Sequence, residues 1–129
     1  MKRFLVSLCF ICCLFFQALK VEALNFEEGL SQSSKVPMVA LIYANWADGY
    51  QSILQKYNSI QPEFLGQYNF VELDIASKDA KFFNTMYHIY PNLPYVLVLR
   101  DGGKVSRYIP KSCLEDESCM KSKLKSFIQ

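Results

Sequence analysis

The sequence predicts an α/β domain, a mixed central β-sheet flanked by helices on both faces. Three observations carry that expectation. Runs of strand length alternate with helical stripes along the chain. Two of the runs, residues 36–43 and 95–99, are apolar at almost every position, as strands covered on both faces are. The turn Asp101-Gly102-Gly103 then joins the last two extended runs as an antiparallel hairpin.

Each element has its local reason. Asn25-Phe26-Glu27-Glu28-Gly29-Leu30 predicts a short amphipathic helix: Asn25 caps it, two carboxylates suit its first turn, and Phe26 and Leu30 lie four apart. Residues 31–35 are a polar connector. Val36-Pro37-Met38-Val39-Ala40-Leu41-Ile42-Tyr43 is the first buried strand, with Pro37 near its start, where a missing N–H is tolerable. From Asp48, a suitable N-terminal residue, the spacing turns helical, with Ile53, Leu54, Tyr57 and Ile60 on one stripe and Pro62 at the end. Residues 69–75 alternate like a strand. Residues 77–87 return to a helix, with Ser77 as its cap and Ala80, Phe83 and Tyr87 inward. After Pro91-Asn92-Leu93-Pro94 come the strand 95–99, the hairpin turn and the strand 104–109. Glu115, Asp116 and Glu117 precede Lys121, Lys123 and Lys125 in the last segment, the charge order that suits a helix dipole. Met120, Leu124, Phe127 and Ile128 are its apolar stripe.

The first residues carry the marks of a cleavable signal: Lys2 and Arg3, an apolar run from Phe4 to Leu19, and Val21-Glu22-Ala23 as a cleavage tripeptide. The run falls short of the roughly 20 residues of a spanning helix. The expected division is a signal over residues 1–23 and one domain over residues 24–129, exported to a bacterial periplasm, the extracellular space or a eukaryotic secretory lumen, with no membrane association after cleavage. Removal of Lys2, Arg3, Lys20 and Glu22 leaves eleven basic and eleven acidic residues. A chain so balanced, with no basic run, does not point to nucleic acid.

Cys9, Cys12 and Cys13 leave with the signal, so Cys113 and Cys119 remain as an even pair in an oxidising compartment, where a disulfide is the default. Six residues apart on one continuous helix, their Cα atoms would lie about 9 Å apart, beyond bridging range, so one must sit in the preceding turn. The sequence offers no metal-ligand cluster, Ser–His–acid set or Gly-rich phosphate loop, and no cofactor is expected. His88, the single histidine, has no evident catalytic partner and reads as a helix-end or loop residue.

Tyr43-Ala44-Asn45-Trp46-Ala47-Asp48-Gly49-Tyr50 resembles the aromatic-Ala-x-Trp-Cys-x-x-Cys signature of thioredoxins with both cysteines replaced. Leu93-Pro94-Tyr95 is similar to the family's Ile-Pro-Thr, whose proline is cis and faces the active site. Asp101-Gly102-Gly103-Lys104-Val105 is similar to its Asn-Gly-Glu-Val hairpin. The resemblance covers about residues 25–129 and implies a thioredoxin-like fold, with Pro94 as the cis-proline.

The departures fall on the chemistry. Ala47 stands at the nucleophilic cysteine and Tyr50 at the resolving one, so no thiolate or mixed disulfide can form there. Leu41 replaces a buried acid and Gln55 the helix-kinking proline. The implied groove beside Pro94 accepts extended chains by strand addition. Trp46, Tyr50 and Tyr95 are expected to supply aromatic surface around it, and Asp48, Leu93 and Pro94 complete the candidate partner-binding set. The expected function is a redox-inactive module that binds an extended polypeptide or a dedicated protein partner. The alternatives are a thiol–disulfide oxidoreductase using Cys113 and Cys119, disfavoured by the surrounding acids, and a fixed subunit of an envelope or secretion complex.

Overall fold

The computed structural model describes residues 24–87 and 92–128. The signal segment, His88 and Pro91 lie outside the described residues. In chain order the elements are α1 (Phe26–Gln32), β1 (Met38–Tyr43), α2 (Tyr50–Ile60), a 3-10 turn (Gln61–Phe64), β2 (Asn69–Asp74), α3 (Ala80–Met86), β3 (Tyr95–Arg100), a second 3-10 turn (Asp101–Gly103), β4 (Val105–Ile109), α4 (Lys111–Leu114) and α5 (Glu117–Phe127). The sheet order is β2-β1-β3-β4. β1 and β2 are parallel, and β3 is antiparallel to both β1 and β4. The α/β architecture with a mixed, doubly covered sheet is therefore the observed one.

Period-two alternation divides the core in two. Val39, Leu41, Val96 and Val98 face Ile53, Tyr57 and Ile60 of α2 and Met120 and Leu124 of α5. Met38, Ala40, Ile42, Leu97 and Leu99 face Phe26 and Leu30 of α1 and Ala80 and Phe83 of α3. On this second side Phe26 meets Phe83 and Tyr87 edge-on, at 5.3 and 5.8 Å between centroids. Gly29 lets α1 lie close to the sheet, because a Cβ there would clash with Met38 Sδ.

Capping accounts for most boundaries and for two departures. Asn25 Oδ1 accepts the Glu28 N–H at 2.8 Å, as a cap should. Asp48 is not the cap of α2: that position belongs to Gly49, in left-handed backbone (φ 77°) and with no side-chain cap bond. Ser77 does not cap α3 either, because its hydroxyl donates to the Asp74 carbonyl at 2.6 Å, closing the turn after β2, and the helix begins only at Ala80. Asp116 caps α5 by accepting from the Ser118 N–H at 3.0 Å, which breaks the last segment into α4 and α5.

Cys113 in α4 and Cys119 in the first turn of α5 form a disulfide across that break, with Cα atoms 5.3 Å apart. Tyr68 donates to the Leu124 carbonyl at 2.7 Å, and Lys121 pairs with Glu63 at 2.8 Å, so α5 is held along its length to the connection between α2 and β2.

Candidate functional site

The segment Ala44 to Gly49 turns sharply between the end of β1 and the start of α2. Ala47 N–H donates to the Ala44 carbonyl at 3.0 Å and Ile53 N–H to the Gly49 carbonyl at 3.2 Å. The tight turn leaves Trp46 65% exposed and Ala44 buried. Tyr50 folds back and stacks on Tyr43, centroids 5.9 Å apart and rings 5° from parallel. Lys111 reaches over from α4 and donates to the Asp48 carbonyl at 3.0 Å. The loop therefore uses Asp48 through its backbone, and its carboxylate remains exposed.

The Leu93–Pro94 peptide is cis, with Leu93 half-buried and Pro94 buried. Beside it opens a cleft of about 450 Å3 lined by Asn92, Leu93, Tyr108, Pro110, Lys111, Ser112 and Glu115. Lys111 is the link between the two halves of the site, since it lines the cleft and holds the Trp46–Gly49 turn.

No family model matches this sequence, and no curated protein matches it either. The structure is nevertheless similar to thioredoxin O2 from Arabidopsis thaliana in its oxidized state, with a TM-score of 0.62 over 81% of this chain and 87% of that one at 16% identity. It is similar also to the Trx4 domain of ERdj5, with a TM-score of 0.55 over 74% of this chain and 82% of that one at 14% identity. The fold is thioredoxin-like.

On this thioredoxin-like frame one candidate surface residue is misplaced. Tyr95 is fully buried, on the α1 and α3 side of the sheet, and packs against Tyr108 at 5.4 Å between centroids. Its ring adds nothing to an exposed aromatic patch, and it faces away from Tyr50, which lies on the α2 side. The alternation along β3 explains this: Tyr95 shares its face with the buried Leu97 and Leu99. The exposed aromatic edge of the cleft is Tyr108, 40% exposed, which the hairpin pattern of residues 104–109 does not distinguish from its neighbours.

Leu41 is buried against α2, but a carboxylate stands beside it: Glu72 of β2 is its register partner. Partial burial raises the Glu72 carboxyl above the usual range. Burial also raises the Tyr43 phenol, and the negative charges of Asp74 and Glu72 raise it further. Deeper in, the Tyr57 hydroxyl lies between β1 and β2. It accepts the Val71 N–H at 3.1 Å and donates to the carbonyl of Val39 (2.9 Å) or Val71 (2.7 Å). The helical stripe identified Tyr57 as apolar core, and nothing in that pattern signals its hydroxyl. Among the described residues no three His, Cys, Asp or Glu side chains are gathered as a metal site.

Proposed function

We propose that this chain is an exported, redox-inactive thioredoxin-fold protein that binds an extended polypeptide or a dedicated protein partner at its cis-proline cleft. The observation that carries this reading is the cleft itself, open beside Leu93-Pro94 and walled by Tyr108 and Lys111. Ala47 and Tyr50, at the positions where the resemblance puts two thiols, give it no nucleophile. An extended chain laid there would meet an aromatic side chain for apolar burial and Lys111 for polar contact.

Crosslinking in the native compartment tests this, with a photoreactive residue at Leu93. Capture of a discrete partner that falls sharply in Tyr108→Ala is the expected result. Capture unchanged by Tyr108→Ala and Trp46→Ala would remove the cleft from the account.

One observation supports a second reading. Cys113 and Cys119 are within bonding distance, and Cys119 is only half-buried, so the pair could exchange with partner thiols. Glu115, Asp116 and Glu117 weigh against a reactive thiolate. Insulin reduction by the wild type that is lost in Cys113→Ser would establish this reading, and no thiol-dependent turnover would end it.

A further inference from the structure

Among the described residues β2 is an edge of the sheet, hydrogen-bonded to β1 on one side only. In the parallel ladder Asn69 N–H donates to the Pro37 carbonyl and Ile75 N–H to the Tyr43 carbonyl, each at 2.9 Å. The odd-numbered residues of β2 therefore serve β1, and the backbone groups of Phe70, Glu72 and Asp74 point away from the sheet. The Asp74 carbonyl is taken by the Ser77 N–H. Among the described residues the N–H and carbonyl of Phe70 and Glu72 and the N–H of Asp74 are left as an open row. Edge strands of this kind are commonly blunted by charged side chains, proline or a bulge, and Asn69-Phe70-Val71-Glu72-Leu73-Asp74 has no proline, bulge or lysine, which leaves selection of what pairs there to its charges. What it carries instead is acid.

Glu72 and Asp74 project from the same face, toward α2, and the stacked Tyr43–Tyr50 pair adjoins them, Tyr43 being the register partner of Asp74. Both carboxylates act electrostatically on the Tyr43 phenol, which places the four side chains in one neighbourhood. This charge pattern sorts the possible occupants. A second β2 laid antiparallel would set Glu72 and Asp74 against like charges, which is destabilising in cross-strand pairs. A strand with lysine or arginine at alternate positions would meet both carboxylates and bring its cations against the tyrosine rings.

We propose that the outer edge of β2 is a docking site for an extended segment of another protein that carries basic residues at alternate positions. The segment adds a fifth strand, its backbone bonding Phe70 and Glu72 and its cations facing Glu72, Asp74 and the Tyr43–Tyr50 pair. The site lies at the opposite edge of the sheet from β4 and does not rest on the cleft reading.

Amide hydrogen exchange of the full-length chain, with and without a short capped peptide alternating valine and lysine, tests it. In the free chain the amides of Phe70, Glu72 and Asp74 should exchange freely. The peptide should slow them, and a valine–glutamate peptide should bind about ten-fold more weakly, as expected for two cross-strand charge pairs. Glu72→Lys, which leaves Asp74 as the one acid beside a new cation, should abolish that preference, and Glu72→Lys with Asp74→Lys should reverse it. Slow exchange at these three amides in the free chain would overturn the proposal, because the edge would then be covered by the chain's own first residues or by β4 of a second copy. Equal binding of both peptides, binding that leaves the three amides unprotected, or no binding would also overturn it.

Discussion

Tyr57 is the residue on which the two parallel strands depend most directly. Its ring fills the α2 side of the core, and its hydroxyl adds hydrogen bonds to the β1–β2 ladder at Val39 and Val71. Tyr57→Phe keeps the ring and removes those hydrogen bonds while the ladder itself stays paired, so a loss of about 1 kcal/mol is expected in urea unfolding. The buried tyrosines also set a pH limit. Burial holds Tyr57 well above the ordinary phenol value near 10 and raises Tyr68 to about 12. Below pH 10 these phenols are neutral in both states. Above it the unfolded chain ionises while the folded chain resists, so stability should fall from pH 10 toward 12. Ultraviolet titration should then show Tyr68 ionising late and Tyr57 only with unfolding. Simultaneous titration of all tyrosines near 10 would contradict this burial.

At the scale of elements, the clearest dependence is that of α5 on its ties. The break at Glu115-Asp116 brings Cys113 and Cys119 together, as a continuous helix could not. Closing so short a loop contributes about 2 kcal/mol, and Cys113→Ser with Cys119→Ser should lower stability by that amount in equilibrium denaturation. The elements were largely legible because their stripes are regular: Ile53, Tyr57 and Ile60 for α2, and Met120 and Leu124 for α5. Their starts were less so. Asp48 and Ser77 are good capping residues by type, yet a left-handed glycine and a turn bond to Asp74 prevailed, and neither competitor leaves a period in the sequence. Ser33 is a similar case. It reads as one residue of a polar connector, but it is buried, donates to the Leu30 carbonyl at 2.6 Å and accepts the Gly102 N–H at 2.9 Å, tying the end of α1 to the hairpin turn.

For the whole molecule, strand order decides where the structure is most resistant. β1 and β3 are the interior strands, and every side chain from Met38 to Ile42 and from Tyr95 to Leu99 is at most 5% exposed. Their amides should therefore exchange slowest, at the free energy of global unfolding, with β4 and α3 opening earlier. Faster exchange in β1 than in β4 would contradict this order. The candidate site was legible in part: Trp46, Leu93 and Pro94 could be placed from the motif alone. Tyr95 could not, because the motif gives a residue's place along the strand, and its burial depends on which face of β3 the neighbouring helices cover.

The division of the interior by the sheet has one more consequence. Ile53 and Phe83 lie on opposite faces of the one sheet, in separate clusters of the core, so their truncations should be additive within about 0.5 kcal/mol in a double-mutant cycle. The same insulation gives the protein two compartments that can diverge at separate rates. Substitutions within the α2 compartment, at Leu41 or Ile53, should therefore leave the aromatic compartment around Phe26 and Phe83 unadjusted.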